Sequence, residues 1–130
     1  MNFSLLVLSS PYSAQAGDSA WQFARAAVAS GHSVYRVFFY HEGVYHGSEL
    51  GISPQDEQDR VLRWADFSTQ NNTELVLCIS SAIRRGLLDA GEAQRYDKPA
   101  SNVHPAFVLS GLGQLIDASA HSDRLLTFGS

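Results

Sequence analysis

At 130 residues, 45% of them hydrophobic and 17% charged, the chain has the size and composition of one soluble globular domain, spanning 1–130. Nine basic against thirteen acidic residues leave a net charge of −4, which argues against a broad nucleic-acid-binding face. One cysteine excludes an internal disulfide. With no basic leader and no apolar run near the length of a membrane span, the expected location is the cytoplasm.

Residues 2–9 are nearly all apolar and predict a strand buried on both faces. A polar loop over 10–18 leads to a helix in which Ala20, Phe23, Ala24, Ala27 and Val28 recur at helical spacing and Gly31 is the stop. Residues 33–40, rich in β-branched and aromatic side chains, predict a second strand. A loop over 41–53 follows. Pro54 with Asp56 and Glu57 suits the first turn of a second helix, which continues through Val61, Leu62, Trp64, Ala65 and Phe67 to a stop at Asn71-Asn72.

Residues 73–78 predict a third strand, and a third helix is expected from near Ser80. The polar stretch 89–105 has room for a helical turn around 92–95. Phe107-Val108-Leu109 predicts a short strand, Gly111-Leu112-Gly113 leads into a helix through Leu115, Ile116 and Ala118, and residues 124–128 form a closing strand. Alternating strands and helices imply an α/β fold, a mostly parallel sheet of about five strands with helices on both faces. Chemistry in such folds gathers at the carboxyl edge of the sheet.

Cys78 lies at that edge, between the apolar run Leu75-Val76-Leu77 and the helix-like Ile79-Ser80-Ser81-Ala82-Ile83-Arg84-Arg85-Gly86. A helix amino terminus favours thiolate over thiol, so Cys78 is a candidate nucleophile. The alternative is a small buried hydrophobe that finishes a core strand. Ser80 and Ser81 suit a capped helix start. Arg84 and Arg85, the only adjacent basic pair, are placed either to assist the thiolate weakly or to meet a partner.

His32, His41, His46, His104 and His121 contain no pair at i, i+3 or i, i+4, so the spacing argues against a metal site. His41 and His46 are the histidines whose loop should share an edge with Cys78, which makes them its candidate partners. Ser110-Gly111-Leu112-Gly113 fits either a weak phosphate turn or a tight turn for close packing. No Walker or G-x-G-x-x-G pattern follows the first strand, which weakens a flavodoxin-like nucleotide-binding reading. Tyr40, Val44 and Tyr45 form an interface candidate if exposed together, and otherwise a loop folded onto its own domain.

Three segments resemble the TusD group of DsrE-like sulfurtransferases: Phe38-Phe39-Tyr40-His41-Glu42-Gly43-Val44-Tyr45, Cys78 to Gly86, and Ser101-Asn102 followed by Phe107 to Gly113. Asp123-Arg124 fits the same pattern, and the likeness runs in order over essentially the whole chain. Departures are His46, where a more asparagine-like residue is expected, and a tail at Gly129-Ser130 that runs past the usual end.

The resemblance implies a sulfur-relay subunit that carries a persulfide on Cys78 in 2-thiolation of the tRNA wobble uridine. It implies TusB-like and TusC-like subunits in a dimer of heterotrimers, a TusA-type sulfur donor and a TusE-type acceptor. It implies no cofactor, no metal, no membrane and no direct contact with tRNA. The alternatives are a structural subunit with an inert Cys78 and a flavodoxin-like nucleotide binder.

Overall fold

The computed structural model describes residues 1–129; Ser130, part of the tail expected to run past the usual end, lies outside the described residues. Five strands, β1 (Asn2–Val7), β2 (Ser33–Phe39), β3 (Glu74–Cys78), β4 (Phe107–Ser110) and β5 (Arg124–Phe128), form one sheet in the order β4-β3-β2-β1-β5. Every neighbouring pair is parallel. The α/β expectation therefore holds, and the sheet is wholly parallel.

Side chains alternate across a strand, and that alternation divides this sheet into two unequal faces. One face presents Leu5, Val7, Val37, Phe39, Leu75 and Leu77 to helices α1 (Ala16–Ala29) and α2 (Arg60–Asn71). Ala20, Trp21 and Ala24 of α1 and Val61, Trp64 and Phe67 of α2 fill that layer. Full burial of a large apolar side chain is worth about 1.5–3 kcal/mol, so this face carries most of the hydrophobic stabilisation.

The opposite face is thinner. Phe38, Val76 and Cys78 form a small cluster with Leu6, Tyr40 and Leu115 packed against it, Leu115 belonging to α5 (Gly113–His121). A polar clamp holds α5 in place. The buried Arg36 donates to Glu74 (2.7 Å), to Asp117 (2.7 Å) and to the Gln114 carbonyl (2.8 Å), and the Tyr35 hydroxyl also reaches Asp117 (2.8 Å). Val108, Leu112 and Ile116 remain exposed beside this helix.

The strands match the sequence expectation to within two residues at each end, and the larger differences lie between them. Helix α2 starts at Arg60 rather than at Pro54, because Asp59 caps it by accepting from the Val61 and Leu62 N–H groups, while Pro54–Glu57 closes a turn. Asn72 ends that helix in the left-handed conformation (φ 52°), as the Asn71-Asn72 stop implied. The first half of the 41–53 loop is a 3-10 helix, His41–Gly47. Helix α3 (Ile79–Arg84) follows Cys78 directly and has only six residues, and α4 (Ala90–Arg95) occupies the expected turn.

Candidate functional site

Cys78 is the last residue of β3 and the N-cap of α3, and it pairs across the sheet with Ser110. Its side chain is on the thin face and only 1% exposed. The sulfur is 3.4 Å from Ser80 Oγ. Burial pushes the thiol pKa up, but hydrogen bonds from the Ser80 side chain and from the Ser81 backbone and side chain outweigh it. The net shift is downward. These donors come from a chain turn fixed by the fold, so they face the sulfur before it is charged.

Ser81 is the part of this arrangement that sequence reasoning placed only as a helix start. It is buried, and its hydroxyl oxygen accepts the His41 N–H at 3.2 Å. Arg85 reinforces the joint: Nε donates to Glu42 (3.0 Å) and Nη1 to the Ser81 carbonyl (3.1 Å). The 3-10 segment is thereby fastened to α3 beside the cysteine. Gly43 seats its other side against β1, where a Cβ would overlap the Val7 carbonyl. The phenol ring of Tyr40, next to the Cys78 cluster, stacks on the His41 imidazole at 4.1 Å.

The two candidate histidines part company with the cysteine. His46 is fully buried in the other layer, tilted against Phe39 (5.3 Å) and pressed on Gly17 of α1. Its Nε2–H donates to the Ser9 carbonyl at 3.1 Å, and its Nδ1 has no partner. Desolvation lowers its pKa to about 4, so it is neutral at physiological pH. The sheet stands between it and Cys78, because Phe39 and Phe38 point to opposite faces. His41 does reach the neighbourhood, but through its backbone.

Among the described residues no group of three or more His, Cys, Asp and Glu could hold a metal ion. The Gly111 and Gly113 positions correct the close-packing reading: a Cβ at either would meet nothing within 4 Å. Val44 is fully buried and Tyr40 and Tyr45 are half-buried, so the aromatic segment folds onto its own domain. Arg85 is paired with Glu42, which leaves Arg84 as the member of the basic pair with no ion-pair partner among the described residues. No helix among the described residues is long and apolar enough to cross a membrane.

Comparison with known proteins gives this geometry a context. A family model described as "DsrE/DsrF-like family" matches residues 1–128. A protein of Allochromatium vinosum with the provisional name sulfurtransferase DsrE is 49% identical over 99% of this chain and 99% of its own. Sulfurtransferase TusD of Serratia proteamaculans is 42% identical over 98% of this chain and 99% of its own, and sulfurtransferase TusD of Salmonella arizonae is 42% identical over 98% and 100%. The crystal structure of the ychN protein from E. coli matches 98% of this chain and 99% of its own with a TM-score of 0.75, at 18% identity, a likeness of fold alone. The chain belongs to the DsrE/DsrF-like family, and its similarity to named sulfurtransferases puts it among the enzymes that transfer sulfur.

Proposed function

We propose that the chain relays sulfur between proteins as a persulfide on Cys78. The observation that carries this reading is the seat of its one thiol: a strand-to-helix junction where Ser80 and Ser81 hydrogen bonds lower the thiol pKa against the effect of burial. The Cys78 thiolate attacks the outer sulfur of a donor persulfide. A new S–S bond forms, the donor S–S bond breaks, and the donor leaves as a thiolate. The acceptor thiolate then repeats the step on the Cys78 persulfide and releases Cys78 as a thiolate. Two exchanges leave no net oxidation, so neither metal nor redox cofactor enters the balance.

A chain with one cysteine suits a carrier, because no second thiol is present to collapse the persulfide into an internal disulfide. The 1% exposure of Cys78 means that exchange needs movement of the side chains packed over its cluster, Tyr40 and Leu115 among them.

The relay serves 2-thiolation of the tRNA wobble uridine in the cytoplasm, a reading supported by the relatives named TusD at 41–42% identity. TusB-like and TusC-like subunits complete a dimer of heterotrimers, sulfur arrives from a TusA-type donor and leaves to a TusE-type acceptor. Exposed Val108, Leu112 and Ile116 beside the thin face support assembly there, since apolar patches mark interfaces. The relative named DsrE at 49% identity supports a second reading, the same persulfide chemistry serving a different final acceptor.

The test is mass spectrometry after reaction with a persulfide donor. Wild type gains the mass of one sulfur atom on Cys78, and Cys78→Ser gains none. Unchanged loading of Cys78→Ser sinks the carrier role. Restoration of tRNA thiolation in a deletion strain by Cys78→Ala supports an inert structural subunit instead. Normal wobble 2-thiouridine in the deletion strain shifts the choice to the second reading.

A further inference from the structure

An open groove of about 840 Å³ runs along the far end of α3, with Leu50, Ile83, Leu88 and Tyr96 as its apolar lining and Arg84 and Lys98 as its charges. It lies outside the thiolate site and outside the α5 patch. Its walls are built rather than loose. The Asn102 side chain accepts from the Leu88 N–H (2.9 Å) and donates to the Gly86 carbonyl (2.9 Å), and Ser48 bridges Val103 behind it. Leu50 is 70% exposed and Tyr96 47% exposed, so the groove is a surface trough and not an enclosed small-molecule cavity.

The charge of the groove is the informative feature. The chain is acidic overall, yet among the described residues no carboxylate lines this trough. Of the nine basic residues, Arg36, Arg60, Arg63, Arg85 and Arg95 are held in ion pairs. The other four, Arg25, Arg84, Arg124 and Lys98, the chain's one lysine, have no ion-pair partner among the described residues; of these Arg84 and Lys98 line the groove, and both are exposed. An apolar floor flanked by two unneutralised cations complements a segment with an apolar side chain and acidic neighbours.

We propose that this groove docks an extended acidic segment of the sulfur-exchanging partner protein, with an apolar side chain over Ile83, Leu88 and Tyr96 and carboxylates on Arg84 and Lys98. The proposal rests on the relay reading above. Arg84 follows Cys78 by six residues, about 9 Å of rise along a helix at 1.5 Å per residue. Three residues of extended chain span about 10 Å. The partner therefore carries its reactive thiol within a few residues of the acidic anchor, and the groove sets the register of the two sulfurs.

The test uses the Arg84→Glu/Lys98→Glu double variant in the full chain and its complex. Both side chains are exposed, so thermal unfolding is expected to match wild type. Two rates are compared: loading of Cys78 from the low-molecular-weight donor glutathione persulfide, and transfer from loaded Cys78 to a purified TusE-type acceptor. Loading is expected to be unchanged, while transfer falls about ten-fold or more and wild-type transfer weakens with added salt. Transfer at the wild-type rate overturns the groove proposal and leaves the relay intact. Failure of wild-type Cys78 to load from glutathione persulfide overturns the relay reading, and the groove proposal with it. Loss of transfer that only parallels disassembly, measured by sedimentation, makes the groove a subunit interface and also overturns the proposal.

Discussion

The Ser81 hydroxyl oxygen accepts the backbone N–H of His41 at 3.2 Å, joining two segments forty residues apart beside the sulfur of Cys78. That bond occupies the oxygen as acceptor and leaves its proton free to donate. A serine that looks like a helix cap in sequence thus becomes the link between the 3-10 segment and the thiol.

Removing these donors should raise the Cys78 pKa. In Ser80→Ala and Ser81→Ala the burial that disfavours charge stays, and part of what opposes it goes. A hydrogen bond to a charged group is worth about 1.5–3 kcal/mol, so thiolate formation near neutral pH should drop roughly ten-fold. The pH profile of iodoacetamide alkylation of Cys78 should move to higher pH in both variants. A profile identical to wild type would show that neither hydroxyl sets the thiolate.

Stability should fall between about pH 6.5 and about pH 4 because of His46. Its folded-state pKa is about 4 against 6.5 for the free side chain, so below pH 6.5 the unfolded chain binds a proton that the folded chain refuses. The full effect is about 3 kcal/mol, reached near pH 4 and absent above pH 7. His46→Gln keeps a side-chain donor for the Ser9 carbonyl and should flatten that window in urea-unfolding series. An unaltered slope would assign the acid sensitivity to other groups.

A second acid window belongs to Asp18 and Asp117. Asp18 is raised by burial, but hydrogen bonds and charge from Arg63 and Arg60 outweigh this and lower it overall; Arg36 and then Tyr35 lower Asp117. Depressed carboxyl pKa values stabilise the fold above the ordinary carboxylate range near 3.9, and that contribution disappears as pH falls through the folded values. In the His46→Gln background the remaining acid transition should therefore begin below about pH 4.5. A transition still centred near pH 5.5 would contradict this division.

Gly43→Ala should disturb the site from behind. The added Cβ overlaps the Val7 carbonyl, a backbone group that cannot turn aside. A cost of about 1–3 kcal/mol is expected, together with displacement of the His41–Gly47 segment. Hydrogen exchange should speed up at His41 and at the α3 amides. Gly86→Ala meets no atom, but it occupies a φ of 76° and should cost stability without altering exchange at His41.

Loosening α5 should expose the thiol. Arg36→Met removes the bonds to Glu74, Asp117 and the Gln114 carbonyl that pin this helix over the thin face. Alkylation of native Cys78 should accelerate, while Arg60→Met, on the other side of the sheet, should leave it unchanged. Equal rates in both variants would mean that Cys78 is reached from another direction.

Much of the architecture was legible because strand and helix periods are local. Alternating or all-apolar runs such as Leu5–Val7 and Leu75–Leu77 gave the strands, and Ala20, Ala24 and Ala27 gave the buried stripe of α1. The start of α2 was misplaced because Pro54 and two acidic residues imitate a helix start, while the cap that won, Asp59, shows itself only by accepting two N–H groups. The expectation that the 41–53 loop shares a sheet edge with Cys78 likewise suggested His46 as its partner. A parallel sheet separates its faces by single-residue alternation, and a loop that crosses its edge can deliver neighbouring residues to opposite sides.

The sequence by itself determined a parallel α/β order with one thiol at a strand-to-helix junction, because each element is coded by patterns a few residues long. Tertiary structure alone decided which face that thiol occupies, which donors reach it and which basic residues stay unpaired. Those outcomes depend on contacts between distant segments, such as His41 with Ser81, Arg36 with Asp117, and Glu42 with Arg85. No local pattern records such contacts, since each is made only when the sheet has closed and the helices have chosen their faces.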